Sequence, residues 1–172
     1  MPDYRRVWVP GGTYFFTVAI ADRQATLLID HIKVLRNAFA SVRAARPFQL
    51  DAIVVLPDHL HCLWTLPAGD FAFPVRWSQI KAAFSRCIPK GERRRPSRVA
   101  KLERGVWQRR YWEHWVRDEQ DFRRCLDYIH YNPIKHGYVT RAMDWPHSSF
   151  RHWVARGVYP TDWASNPAAT GT

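Results

Sequence analysis

The sequence predicts an α+β domain of the ferredoxin-like, split βαβ type: an antiparallel four-stranded sheet with two helices on one face. Three observations carry that prediction. Strand-like and helix-like apolar periodicities follow one another as β-α-β-β-α-β. Pro57-Asp58 gives a tight turn that joins the second and third strands directly. A further amphipathic stretch near the C-terminus adds one more helix to this plan.

"TYFFTVAI" (13–20) follows a Gly-Gly turn and is rich in β-branched and aromatic residues, so it reads as the first strand. Asp30 is placed to cap a helix whose Ile32, Leu35, Phe39 and Val42 share one face, and Arg46-Pro47 stops it. "FQLDAIVVL" (48–56) is the second strand and "HLHCLWTL" (59–66) the third. Trp77, Ile80, Phe84 and Ile88 mark the second crossover helix, and "GVWQRRYW" (105–112) reads as the fourth strand. The last helix is expected from about Asp118 to Asn132, because proline at 133 disfavours helical geometry at the residue before it. Both crossover helices cover one face of such a sheet, which leaves the other free for a ligand.

At 172 residues, 47% hydrophobic and 24% charged, the chain has the size and composition of one folded domain, expected over 1–163 with a disordered tail at 164–172. Its balance is strongly basic: 26 Lys+Arg against 15 Asp+Glu, a net +11 with nine tryptophans. That pairing of charge with flat rings points to nucleic acid as partner. A membrane surface fits less well, since no segment joins an apolar face to a lysine-rich one. Cys62, Cys87 and Cys125 form no C-x-x-C pair, and no signal-like or membrane-length apolar run occurs, so the expected compartment is the cytoplasm.

The clearest break in composition is the basic loop at 89–105, "PKGERRRPSRVAKLERG", with Arg93, Arg94 and Arg95 at its centre. It is either a solvated connector or an arm that binds phosphates. Arg5 and Arg6 beside Trp8, and Arg109-Arg110-Tyr111-Trp112, interleave charge with stacking surface, as single-strand binding requires. An ordinary basic surface with part-buried aromatics has the same pattern.

His59 and His61 carry the most chemistry. Side chains alternate along a strand, so His59, His61, Leu63 and Thr65 share a face opposite Leu60, Cys62, Trp64 and Leu66. At ~3.3 Å rise per residue the two histidine Cα atoms lie roughly 7 Å apart, within reach of one cation. Imidazole favours Mn, Zn, Fe or Ni, and a substrate phosphate shifts the balance toward Mg²⁺ or Mn²⁺. The last helix supplies a further donor. Phe122, Cys125, Leu126 and Ile129 form its buried stripe; Tyr128 lies about 110° from the stripe's centre, with Asn132 one turn on along the same flank. Tyr131 points away. A tyrosine there is either a boundary residue or a nucleophile.

Taken together, these residues make a phosphoryl-transfer site. A divalent cation held by His59, His61 and Asn132 would polarise a phosphodiester, and Tyr128 would attack phosphorus. Free tyrosine ionises with pKa ~10, so activation must recover up to ~4 kcal/mol at neutral pH, which nearby cations such as Lys135 supply.

His-hydrophobic-His on a central strand, with one tyrosine on a downstream helix, resembles the HUH single-tyrosine transposases that act on single-stranded DNA. Four longer stretches are similar to the REP-associated tyrosine transposases: "YRRVWVPGGTYFFTV", "VVLPDHLHCLWTLP", "WQRRYWEHWVRDEQDFRRCLDYIHYNPIKHGYV" and "DWPHSSFRHWVARGVYPTDWA". The resemblance implies His59 and His61 as metal ligands, Tyr128 as nucleophile and a 5′-phosphotyrosine intermediate. Related enzymes often place glutamine where this chain has Asn132. It also implies a bacterial source and a substrate of single-stranded DNA carrying a short guide sequence beside a REP-type hairpin, handled by a monomer or a homodimer. Two other readings compete. An HUH replication initiator or relaxase would usually carry a partner domain, and relaxases commonly place the tyrosine before the histidines. A non-enzymatic single-stranded nucleic-acid-binding module explains charge and aromatics but gives His59, His61 and Tyr128 no task.

Overall fold

A computed structural model describes residues 5–165. The Gly11-Gly12 turn leads into β1 (Thr13–Ala19), with Gly11 at φ +68°, a conformation few other residues adopt. Tyr14 closes the turn: its hydroxyl accepts from Val9 N at 2.8 Å and donates to Val7 O at 2.7 Å. A short helix α1 (Leu27–Asp30) precedes α2 (Ile32–Ala45). Asp30 therefore ends α1 instead of capping α2, and its carboxylate accepts from the Thr26 hydroxyl at 2.6 Å. The faces of α2 turn inward as the 3–4 spacing predicts, with Leu35, Phe39 and Val42 buried.

β2 (Gln49–Val55), β3 (His59–Thr65), α3 (Phe73–Arg86), α4 (Pro96–Ala100), β4 (Trp112–Trp115), α5 (Glu119–Lys135) and α6 (Phe150–Ala155) follow. The sheet order is β2-β3-β1-β4, antiparallel throughout, with the histidine strand β3 at its centre. Strand four is displaced from its expected span of 105–112. Residues 106–108 do bond to the chain around the end of β1, through Ala21 N to Val106 O and Gln108 N to Ala19 O, each at 2.9 Å. The backbone then leaves the sheet over Arg109–Tyr111 and returns as Trp112–Trp115, which pair with Thr17–Tyr14.

Helices α2 and α3 cover one face, where Trp64 is fully buried between Phe48 (ring centroids 4.1 Å) and Trp77 (4.4 Å). The opposite face, expected to be free, is covered. Phe15, Val54 and Leu63 pack there against Leu126 and Ile129 of α5, Phe150 of α6 and Tyr159. The reason is compositional: the apolar residues of the C-terminal third need burial, and this face is the remaining apolar surface. The edge strand β2 is also protected, since Val55 N donates to His147 O and Ser149 N to Ile53 O.

Helix α5 runs through Pro133 to Lys135 instead of stopping at Asn132. The proline falls in the last turn, so it forfeits a single backbone bond, and its ring is buried. Asp118 caps the start of the helix, its side chain accepting from Asp121 N at 2.8 Å. Among the described residues no helix is long and apolar enough to cross a membrane. Of the expected tail, residues 166–172 lie outside the described residues, whereas Ser165 N closes a turn onto Asp162 O.

Candidate active site

Strand alternation aims His59 and His61 at α5, and both are buried beneath it. Their rings stand 5.0 Å apart and nearly perpendicular, at 83°. His59 Nδ1 lies 2.7 Å from Asp58 Oδ1, and Asp58 Oδ2 accepts from Arg23 Nε at 2.6 Å. His61 Nδ1 lies 2.7 Å from the hydroxyl of Thr17, its cross-strand partner on β1. Each imidazole is therefore fixed through Nδ1, which leaves Nε2 as the ligating nitrogen.

Burial pushes the His61 pKa down to about 3, helped by the neighbouring His59 and His136. Burial also lowers that of His59, although the hydrogen bond to Asp58 opposes it. Burial would raise the Asp58 carboxyl, but hydrogen bonds from His59 and Arg23 outweigh it and hold the group below its ordinary range. Both histidines are thus neutral donors at physiological pH, the form a metal requires.

Helix α5 brings the tyrosine flank over this pair. The Tyr128 ring meets His61 edge-on at 5.2 Å and Phe15 at 5.8 Å, while 41% of the residue stays exposed. Its hydroxyl accepts from Lys135 Nζ at 3.4 Å. Asn132 is fully buried one turn on, its Nδ2 donating to Tyr128 O at 3.0 Å. The Asn132 amide lies near enough to His61 to offset part of its pKa shift, yet no hydrogen bond closes on His61 Nε2 or Asn132 Oδ1. A buried polar atom without a partner costs about 1–3 kcal/mol. Here two such atoms are both metal-ligand types, so His59, His61 and Asn132 fit a divalent cation.

Three contributors were not assigned from sequence. Asp58 adjoins His59 in the turn, a visible signal. Thr17 depends on strand register, which spacing alone does not give. The His136 ring lies 5.3 Å from that of His59, and His136 follows Asn132 by four residues on the same flank, a spacing that could have revealed it. Among the described residues, His114, Asp121 and Cys125 also bring three ligand-type atoms within 4.8 Å of one another. There His114 Nε2 lies 2.8 Å from Asp121 Oδ2, which also accepts from Arg117 N and Nε. Burial and the Asp121 charge push the Cys125 thiol up to about 11, so this group is less ready to ligate than the histidine pair.

The basic residues divide by what they touch. Arg6 Nε pairs with Glu113 at 2.9 Å, and Arg109 Nε with Glu103 at 3.0 Å. Arg93, Arg94 and Arg95 line a cleft of about 1170 Å³ between the basic loop and residues 20–27. Among the described residues no hydrogen bond engages their side chains, and Arg5 and Arg110 are exposed. The loop itself is fixed by Arg104, which donates to Ser85 O, Ile88 O and Pro89 O and pairs with Glu92 at 2.7 Å.

No family model matches the chain. A REP-associated tyrosine transposase of Escherichia coli (strain K12) is 44% identical over 166 residues, covering 96% of this chain and 93% of its own length. A Haemophilus influenzae protein named for the same family is 45% identical over 97% of this chain and 96% of its own length. The solved structure of a REP-associated tyrosine transposase bound to a REP hairpin superposes with a TM-score of 0.82 at 44% identity, over 96% of this chain and 93% of that one.

Proposed function

The chain belongs to the REP-associated tyrosine transposases, a class of enzymes acting on DNA, and from that premise we propose that it cleaves and rejoins single-stranded DNA beside a REP-type hairpin through Tyr128. The observation that carries this reading is the placement of the Tyr128 ring 5.2 Å from His61, across the α5–β3 contact. In the step proposed, the Tyr128 oxygen bonds to phosphorus and the phenolic proton departs. The bond from phosphorus to the 3′ oxygen breaks, and that oxygen takes up a proton to become a free 3′-OH. The product is a 5′-phosphotyrosine link that conserves the bond for rejoining.

His59, His61 and Asn132 would hold the divalent cation, Mg²⁺ or Mn²⁺, which when bound supplies charge stabilisation to the phosphodiester. Asp58 and Thr17 keep the two imidazoles oriented, and burial keeps them unprotonated. Lys135 places a positive charge on the phenol oxygen as negative charge develops there. Tyr131 is as exposed as Tyr128 but contacts neither histidine ring. That contrast favours Tyr128 over Tyr131 among the two tyrosines of "DYIHYNP".

Incubation with single-stranded hairpin DNA and Mn²⁺ should give a protein–DNA adduct that survives denaturation, with the 5′-phosphate mapped to Tyr128. Tyr128→Phe keeps the ring and should bind DNA yet form no adduct. Cleavage by Tyr128→Phe at the wild-type rate would defeat the assignment. Loss of cleavage in Tyr131→Phe alone would move the nucleophile to Tyr131.

A further inference from the structure

We propose that Trp112 is the stacking platform for the unpaired base next to the scissile phosphate, a reading that rests on the Tyr128 assignment for its location only. The register sets the geometry. Thr17 pairs with His61 on one side and with Trp112 on the other, so the three residues form one row on one face of the sheet. With strands about 4.8 Å apart, the Trp112 Cα lies roughly 10 Å from that of His61. The Trp112 ring meets Phe15 edge-on at 5.7 Å, and Phe15 in turn touches His61 at 5.5 Å and Tyr128 at 5.8 Å. An unbroken aromatic ridge thus connects the platform to the nucleophile.

Trp112 is 51% exposed, whereas Trp64, Trp77 and Trp107 are buried. Its indole lies flat on His114, with centroids 5.8 Å apart and planes 4° from parallel. His114 is itself held by Asp121, anchored at the first turn of α5. The His114–Asp121 bond, which the proposed cleavage does not use, thereby fixes the ring before any ligand arrives, and a rigid aromatic loses little entropy on stacking. The ligand class follows from charge: exposed Lys135 sits against Tyr128 at one end of the ridge, and exposed Arg110 precedes Trp112 by two residues at the other, on a chain of net charge +11, so the flat partner is the base of a polyanion.

The test reads equilibrium binding in EDTA with a Tyr128→Phe background, so that cleavage plays no part. The probe is a fluorescein-labelled DNA hairpin with an unpaired flank, in which each flank base in turn is replaced by an abasic site. One position should weaken binding by roughly 5- to 150-fold, the worth of a single base–aromatic stack. Trp112→Ala should cause the same loss on intact DNA and no further loss on that abasic probe, and Trp112→Phe should recover part of it. His114→Ala should give a smaller loss at the same position. Binding by Trp112→Ala within twofold of the parent overturns the proposal, as does a Trp112 effect that adds to the abasic effect at every position. Failure of the phosphotyrosine reading shows separately, as unaltered cleavage by Tyr128→Phe.

Discussion

The Tyr128 hydroxyl and the Lys135 ammonium, two turns apart on α5, lie 3.4 Å from one another, and the ammonium also sits 4.9 Å from the centre of the Tyr128 ring. The contact puts a fixed cation at the atom where negative charge must develop for attack on phosphorus. Lys135→Met should slow adduct formation about 10- to 100-fold in single-turnover measurements, below the roughly 10²- to 10³-fold cost of losing a buried oxyanion donor because water screens this exposed contact. DNA binding should weaken far less, and Lys135→Arg should restore much of the rate. Equal losses in binding and rate would make Lys135 a phosphate contact and nothing more.

Spacing made much of this site legible. The two-residue interval in His59-Leu60-His61 fixes a shared strand face, and the four-residue interval from Tyr128 to Asn132 fixes a shared helix flank. What spacing does not contain is pairing. Thr17 meets His61 because β1 lies beside β3 in one particular register, and nothing local to Thr17 announces it. The same gap misplaced the fourth strand: aromatic residues stand on both sides of Gln108–Arg110 in "VWQRRYWEHW", and only the pairing shows that the chain leaves the sheet there and returns at Trp112. The covered sheet face has a different cause. Phe150, Tyr159 and Trp163 fall outside the β-α-β-β-α-β pattern, and they close the face that a two-helix plan leaves open.

Asp58 should matter to metal affinity although it is not itself a proposed ligand. Its carboxylate orients His59 through the 2.7 Å contact at Nδ1, and Arg23 holds it from the far side. Asp58→Ala should weaken Mn²⁺ binding by roughly 10- to 100-fold, as loss of an outer partner of a ligating histidine commonly does. Titration calorimetry on DNA-free protein measures this directly. Asn132→Leu fills a similar volume without Oδ1 and should weaken Mn²⁺ binding as well; unchanged affinity would remove Asn132 from the ligand set.

Buried neutral histidines, His61 and His130 most of all, weaken the metal-free protein as pH falls. Burial holds His61 and His130 each to about 3, against ~6.5 in an unfolded chain. Well above pH 6.5 neither state binds a proton, so this stability is fully present. As pH falls below 6.5 the unfolded state takes up protons that the native state refuses, and stability declines until the folded pKa is reached. Each histidine contributes a slope approaching ~1.4 kcal/mol per pH unit. Urea unfolding in EDTA between pH 5 and 6.5 should show the summed slope, to which His59 and His147, also lowered by burial, add, and His130→Gln should make it shallower. A flat profile would mean that the native state accepts these protons.

The basic loop offers a contrast between arginines that shape it and arginines that face outward. Arg104 is bound to three carbonyls at the end of α3 and to Glu92, whose carboxyl it draws down to about 2. Arg93, Arg94 and Arg95 have no such partners and line the cleft opposite residues 20–27. Replacing those three with alanine should leave folding intact and weaken binding to all DNA sequences alike. The slope of log K against log salt should shrink by up to ~0.7 for each lost contact with single-stranded DNA. Arg104→Ala should act differently. Freed from α3, the loop should become a site of rapid proteolysis, and binding should fall because Arg93, Arg94 and Arg95 are no longer held in place. If the triple variant keeps the wild-type salt slope, the loop is a connector. If Arg104→Ala keeps both protease resistance and affinity, its carbonyl contacts do not position the cleft.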